Sequence, residues 1–278
     1  MEHLNDLLKI EPFSYDFKKR KKVFFNAVIE SFKHHFDNSY EFRKWSIYNK
    51  IDDYKKITSL YDMPYFPNNI FKHYNLTSEK KEFKIINSSG TTSQIKSKIN
   101  LDRENARRQT LILSKILSNI LGKKRKPFLI VDKGPNQESN NYELSARFAG
   151  LSGYLLAASK KNYLLTGKNN DLDFDIKRVK KMLDLSMKLN EGIVVIGYTY
   201  LIYEKLLSIL NNSSDKIKFP KNTTLIHFGG WKKLKDKKIS KKDFNLLINK
   251  NLGIKDKNII DIYGFSEQLG TVYPSRGR

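Results

Sequence analysis

The 278-residue chain has no cysteine at all. Within it, disulfides, thiolate metal sites and a cysteine nucleophile are therefore excluded. Long hydrophobic runs are also missing. The most apolar stretch, GIVVIGYTYLIY (192–203), is too short and too polar to span a bilayer. MEHLNDLLKI at the start lacks a basic segment followed by an apolar one, so no secretion signal is read there and a cytoplasmic location is expected. The five histidines have no metal-ligand spacing, and no internal repeat is present. Acidic residues are scarce, 29 Asp and Glu against 52 Lys and Arg, for a formal charge of +23.

What is present suits a globular protein. Hydrophobic residues make up 39% and aromatic residues 12%, which argues against wholesale disorder and allows a real core. A large positive charge invites a nucleic-acid reading. Lys outnumbers Arg roughly four to one, however, and Asn and Ile abound. That mixture reads as a coding bias that spreads Lys over every exposed face, with no specific nucleic acid as partner.

Residues 1–80 are expected to form a helical N-terminal region. Phe17, Val23, Phe24, Ala27, Val28 and Phe32 recur at helical spacing, and Pro64 and Pro67 break the pattern. Over 81–278, short β-branched runs alternate with amphipathic stretches. Strands are expected at 83–86, 128–132, 192–197, 224–229 and 258–263. Helices are expected near 102–121, with Asp102 as N-cap, and near 142–158, 175–190, 199–211 and 241–251. This alternation predicts an α/β fold with a layered, mostly parallel sheet covered on both faces.

In such sheets ligands bind beyond the carboxyl ends of strands. Three polar, Gly-bearing loops follow expected strands there: NSSGTTS (87–93), FGGWKK (228–233) and YGFSEQLG (263–270). The first is not a Walker loop, because no Gly-Lys-Ser/Thr closes it. Gly90 permits close backbone approach, while Ser88, Ser89, Thr91, Thr92 and Ser93 supply hydroxyls and Lys96 a charge. That set suits a polyphosphate; a flexible linker is the plain alternative. Gly229 and Gly230 would let a flat ligand lie on the backbone, or would simply make a turn. Tyr263 offers a stacking face, and Glu267 offers a hard oxygen for Mg²⁺ or a helix N-terminal contact. His227 is expected to be packed or hydrogen-bonded rather than a base, and His34 and His35 to lie on a helix surface.

Taken in order, these loops resemble the adenylate-forming superfamily and its pattern S-G-T-T-G-x-P-K, then Gly-Gly, then Y-G-x-[ST]-E. Within it the chain is most similar to the LuxE-type acyl-protein synthetases, on SSGTTSQIKSKINLD (88–102), ARFAGLSGY (146–154), HFGGWKK (227–233) and DIYGFSEQLGTVYP (261–274). Ser93 and Ile95 stand where the pattern has Gly and Pro. Residues that such enzymes carry beyond the third loop, a ribose-binding Asp and a mobile C-terminal domain with a catalytic Lys, are not found, so the C-terminal domain is read as absent. The family's acyl-carrying Cys is missing too.

The resemblance implies ATP- and Mg²⁺-dependent activation of a fatty acid to an acyl adenylate, then transfer to a protein or thiol acceptor. It implies Thr91, Thr92 and Lys96 on the β/γ-phosphates, Ser266 on the α-phosphate and Glu267 on Mg²⁺. It sets Tyr263 and Gly264 with Gly229 and Gly230 around adenine, and an acyl pocket beside Gly197 and Tyr198. The alternatives are a catalytically incomplete acyl- or nucleotide-binding protein of the same fold, and a basic nucleic-acid-binding protein.

Overall fold

A computed structural model of the chain describes residues 1–14, 16–78, 84–87, 95, 97–134, 150–168, 171–208, 217, 219–264, 266–268 and 272–276. These pack as two compact units. Met1–Ile116 groups with Phe265–Thr271, and Leu117–Gly264 groups with Val272–Arg278.

The N-terminal unit is built on α1 (Glu2–Lys9), α2 (Phe17–Asn38) and α3 (Tyr40–Tyr48). Asp16 caps α2 by accepting the Lys19 N–H at 2.9 Å. Ser39 ends α2 and caps α3 through the Phe42 N–H. Phe32, Ile51 and Ile57 form its small core, with Phe36 and Phe42 packed around them. His35 corrects the surface expectation. It is partly buried, its Nδ1 lies 2.6 Å from the Ser78 hydroxyl, and burial lowers its pKa.

β1 (Lys84–Asn87) forms where a strand was expected, but it does not join the main sheet. It pairs antiparallel with β2 (Lys98–Leu101), from Lys84↔Leu101 to Asn87↔Lys98, as a separate ribbon. The Ser/Thr loop is thus the connection of a hairpin rather than a crossover from a parallel strand. Ile99 and Leu101 are buried while Lys98 is exposed, the alternation of a half-buried strand. α4 (Arg103–Leu121) follows, capped as expected by Asp102, which accepts the Asn105 N–H at 2.8 Å.

The C-terminal unit holds a seven-stranded sheet. In chain order its strands are β3 (Lys126–Lys133), β4 (Ala158–Lys168), β5 (Asp171–Phe174), β6 (Val194–Tyr198), β7 (Thr224–Phe228), β8 (Ile259–Tyr263) and β9 (Tyr273–Arg276). The spatial order is β5-β4-β3-β6-β7-β8-β9. The five inner strands are parallel; β5 and β9 are antiparallel edges. The helices are α5 (Ile176–Leu189), α6 (Thr199–Leu201, continuing as a π-helical turn over Ile202–Leu207) and α7 (Lys241–Leu252). Leu129, Val131, Val195, Leu225 and Ile259 on one sheet face pack with Ile202, Leu206, Phe244 and Ile248 from those helices.

The chain runs outward from β3 to β5, then returns to the other side of β3 to start β6. Strand order therefore reverses between β3 and β6, the kind of point at which open α/β sheets bind ligands. Only glycine fits where those strands meet. A Cβ on Gly197 would lie 2.9 Å from Val131 Cβ, its register partner. Among the described residues no helix is long and apolar enough to cross a membrane. The first part of the expected 142–158 helix lies outside the described residues.

Candidate active site

β7 and β8 are neighbours in parallel register, His227 opposite Asp261 and Phe228 opposite Ile262. Their carboxyl ends thus bring the second loop and the start of the third to one edge of the sheet. Alternation along the strands puts His227, Asp261 and Tyr263 on one face and Phe228 on the other.

His227 is 4% exposed, against the Phe244 ring of α7 at 4.8 Å. Its Nδ1 lies 3.0 Å from the Thr199 hydroxyl, which opens α6. The same hydroxyl sits 3.3 Å from the Phe228 carbonyl and 3.1 Å from the Gly229 carbonyl. A hydroxyl has one proton to give, so it donates to a carbonyl and accepts from the imidazole Nδ1–H. This arrangement leaves only the Nε2 lone pair without a partner, consistent with a buried Nε2 that makes no hydrogen bond. Thr199 thereby ties the end of β6 to the glycine loop after β7.

Burial pushes the His227 pKa down to about 4; Asp261 opposes this and Lys241 adds to it. The imidazole is neutral at neutral pH, and the nearby charge is carried by an ion pair. Lys241 Nζ lies 3.5 Å from Asp261 Oδ2 and donates to Ser275 Oγ at 2.6 Å. His227 is therefore a packed, hydrogen-bonded histidine, as its sequence context suggests.

Phe228 anchors an aromatic layer on the opposite face. It stacks on Tyr154 at 5.2 Å and meets Tyr198 edge-on at 4.7 Å. Burial pushes the Tyr154 phenol well above its ordinary value, with Tyr198 adding to it. The two glycines differ. Gly229 has φ +75°, and a Cβ there would come 3.0 Å from the Tyr198 ring. Gly230 faces open space. Tyr263 is 64% exposed, its ring 6.4 Å from that of Tyr273.

Gly229, Gly230, Tyr263 and the exposed Gly264 thus share the β7/β8 edge. Ser266 and Glu267 belong to the N-terminal unit, in the single 3₁₀ turn Ser266–Gln268, with Glu267 partly buried. Ser88, Ser89, Gly90, Thr91, Thr92, Ser93 and Lys96 lie outside the described residues. Among the described residues no cluster of three or more His, Asp or Glu could hold a metal. The sequence reading missed Thr199, Lys241 and Asp261, because their roles come from contacts between distant segments.

A reversed parallel order, with the glycine loop and the exposed Tyr at adjacent strand ends, is a doubly wound α/β arrangement. Solved structures share the fold. A crystal structure of 2-hydroxyisobutyryl-CoA ligase in an open conformation, in complex with 2-HIB-AMP and CoA, matches with a TM-score of 0.60 at 10% identity. It covers 92% of this chain and 52% of that one. A second structure of that ligase, in the postadenylation state with 2-HIB-AMP, also gives a TM-score of 0.60, at 13% identity over 95% of this chain and 55% of that chain. The fold is that of adenylate-forming ligases.

The particular family follows from sequence. The family described as "Acyl-protein synthetase, LuxE" matches residues 2–276, and the chain belongs to it. A long-chain-fatty-acid–luciferin-component ligase of Aliivibrio fischeri is 23% identical over 88% of this chain and 63% of its own length. Its counterpart of Photorhabdus luminescens is 30% identical over 36% of this chain and 86% of its own length. The chain thus spans less than two thirds of the Aliivibrio relative and about half of the ligase structures.

Two outcomes follow from this geometry. Gly229→Ala forces a Cβ into a left-handed conformation and onto Tyr198, and should lower stability by about 1–2 kcal/mol in urea melts. Gly230→Ala should leave stability unchanged. The neutral His227 gives the second. The unfolded imidazole takes up a proton near pH 6.5 and the folded one only near 4. Stability from this group is therefore complete above about pH 6.5 and falls as pH drops toward 4, by up to about 3 kcal/mol. His227→Gln should flatten that part of the pH–stability curve relative to wild type.

Proposed function

We propose that this chain binds ATP and a fatty acid and supports formation of an acyl adenylate, with the acyl group passing to a protein or thiol acceptor. The observation that carries the reading is the β7/β8 edge, where Gly230 faces open space and Tyr263 is exposed; adenine would lie against these residues. Family membership and the ligase fold support it.

In the reaction, a carboxylate oxygen attacks the α-phosphorus, the bond to the β-phosphate oxygen breaks, and pyrophosphate leaves. A thiolate then attacks the acyl carbonyl and AMP departs. The first step drives two anions together, so preorganised donors must stabilise the developing charge. Thr91, Thr92 and Lys96, with Ser88, Ser89, Gly90 and Ser93, form the β/γ-phosphate cradle; Ser266 contacts the α-phosphate. The hairpin register supports this role, because Asn87↔Lys98 pairing pins both ends of the loop. Glu267 would hold Mg²⁺, which would neutralise phosphate charge; a single carboxylate is an ordinary protein contribution to a Mg²⁺ site. The acyl chain enters beside Gly197 and Tyr198, where strand order reverses. The acceptor thiol lies outside these 278 residues, none of which is Cys.

Calorimetric titration with ATP·Mg²⁺ tests the nucleotide part. Thr91→Val with Thr92→Val should cost about 1.5–3 kcal/mol of affinity per lost bond to a charged oxygen. Gly230→Ala should weaken ATP binding without changing stability, and Glu267→Gln should weaken its Mg²⁺ dependence. Wild-type affinity in all three would remove the site assignment. Pyrophosphate exchange with a panel of carboxylates reads the chemical step. With labelled fatty acid and ATP, the denatured chain should carry no hydroxylamine-labile label; release of label at neutral pH would contradict this.

A further inference from the structure

Among the described residues every exposed phenylalanine lies in one short stretch: Phe13 at 50%, Phe17 at 68% and Phe24 at 44% exposed. All other large exposed aromatics are tyrosines, whose hydroxyl meets water without cost. The same stretch holds the densest basic run in the chain, Lys18-Lys19-Arg20-Lys21-Lys22.

On α2, Phe17, Lys21 and Phe24 fall one and two turns apart on one face, and the two phenylalanines are about 10 Å apart along the axis. Arg20 flanks that face on one side and Lys18 on the other. Lys18, Lys19, Lys21 and Lys22 are exposed and pair with no described carboxylate. The nearest acid, Asp16, is committed to the helix cap. Elsewhere lysines do find carboxylates, as Lys9 does in Asp6 and Lys56 in Asp52.

The placement also runs against the local rule. Basic residues in the first turn of a helix oppose its positive N-terminal dipole, and α2 has no acid there. Within the described residues the four lysines meet no carboxylate, which leaves their charge turned to what lies outside the fold.

We propose that the N-terminal half of α2, with Phe13, docks on an anionic lipid bilayer surface. The lysines would hold phosphate headgroups while Phe17 and Phe24 enter the interfacial layer, the pattern of an interfacial amphipathic helix. This goes beyond the ligase reading and does not depend on it.

The test is sedimentation of the full chain with vesicles of phosphatidylglycerol and phosphatidylcholine, against pure phosphatidylcholine, without ATP or fatty acid. Binding is expected only to the anionic vesicles. Replacing Lys18, Lys19, Lys21 and Lys22 by Gln should weaken it roughly a hundredfold or more, about fivefold per lysine. Phe17→Ser with Phe24→Ser should also weaken it, and should make the residual binding more salt-sensitive. A control removes the same charge from α5, replacing Lys177, Lys180, Lys181 and Lys188 by Gln, and should change little. Circular dichroism confirms that each variant is folded. Equal loss in the α5 control, or binding untouched by the α2 variants, would overturn the proposal. So would tighter Phe17-dependent binding to single-stranded poly(U), or a dimer abolished by the same substitutions.

Discussion

Gly197 lets β6 lie against β3 where a side chain would collide with Val131, and the rest of the C-terminal unit is arranged around that contact. Strand order reverses across this pair, the kind of point at which open α/β sheets bind ligands. β7 and β8 then add in parallel register on the β6 side, which carries the glycine loop and Tyr263 to the same edge of the sheet. A close approach of two strands in the core thus bears on which strand ends stand side by side at the rim.

Four inner strands, β3, β6, β7 and β8, were legible because burial on both faces demands apolar residues. Phe128–Val131, Val194–Ile196 and Leu225–Ile226 are all fully buried, and each reads as a continuous apolar run. The strands that escaped notice are β4 beside the β5 edge, the edges β5 and β9, and β2 of the hairpin. β4 contains Lys160 and Lys161, β9 has a proline that only an edge strand tolerates, and β2 alternates inside a basic stretch. In each case solvent on one side relaxes the composition that reveals a strand.

The glycine loop was legible as a strand-end loop, but what holds it was not. Gly229 and Gly230 look equivalent in sequence; in the fold one is fixed by a positive φ and the Tyr198 ring, and the other is open. Thr199 lies 28 residues before His227, and no local pattern links them. Hydrogen bonds between distant segments leave no period in a sequence. The Ser/Thr stretch shows the opposite case: its composition raised the expectation of a phosphate cradle, while the pairing of its flanks as a hairpin comes only from the fold.

The choice of imidazole at position 227 has an electrostatic consequence. A leucine would pack against Phe244 equally well but could not give Thr199 a proton, and the hydroxyl would lose one of the two bonds that orient it toward the Gly229 carbonyl. A lysine or arginine would supply the proton along with a buried charge, which is costly unless paired. A histidine whose burial holds it neutral supplies the N–H with no charge. The charge beside it belongs to the Lys241–Asp261 pair, with Ser275 accepting from Lys241. The loop is thus oriented by neutral hydrogen bonds, with no buried charge of its own.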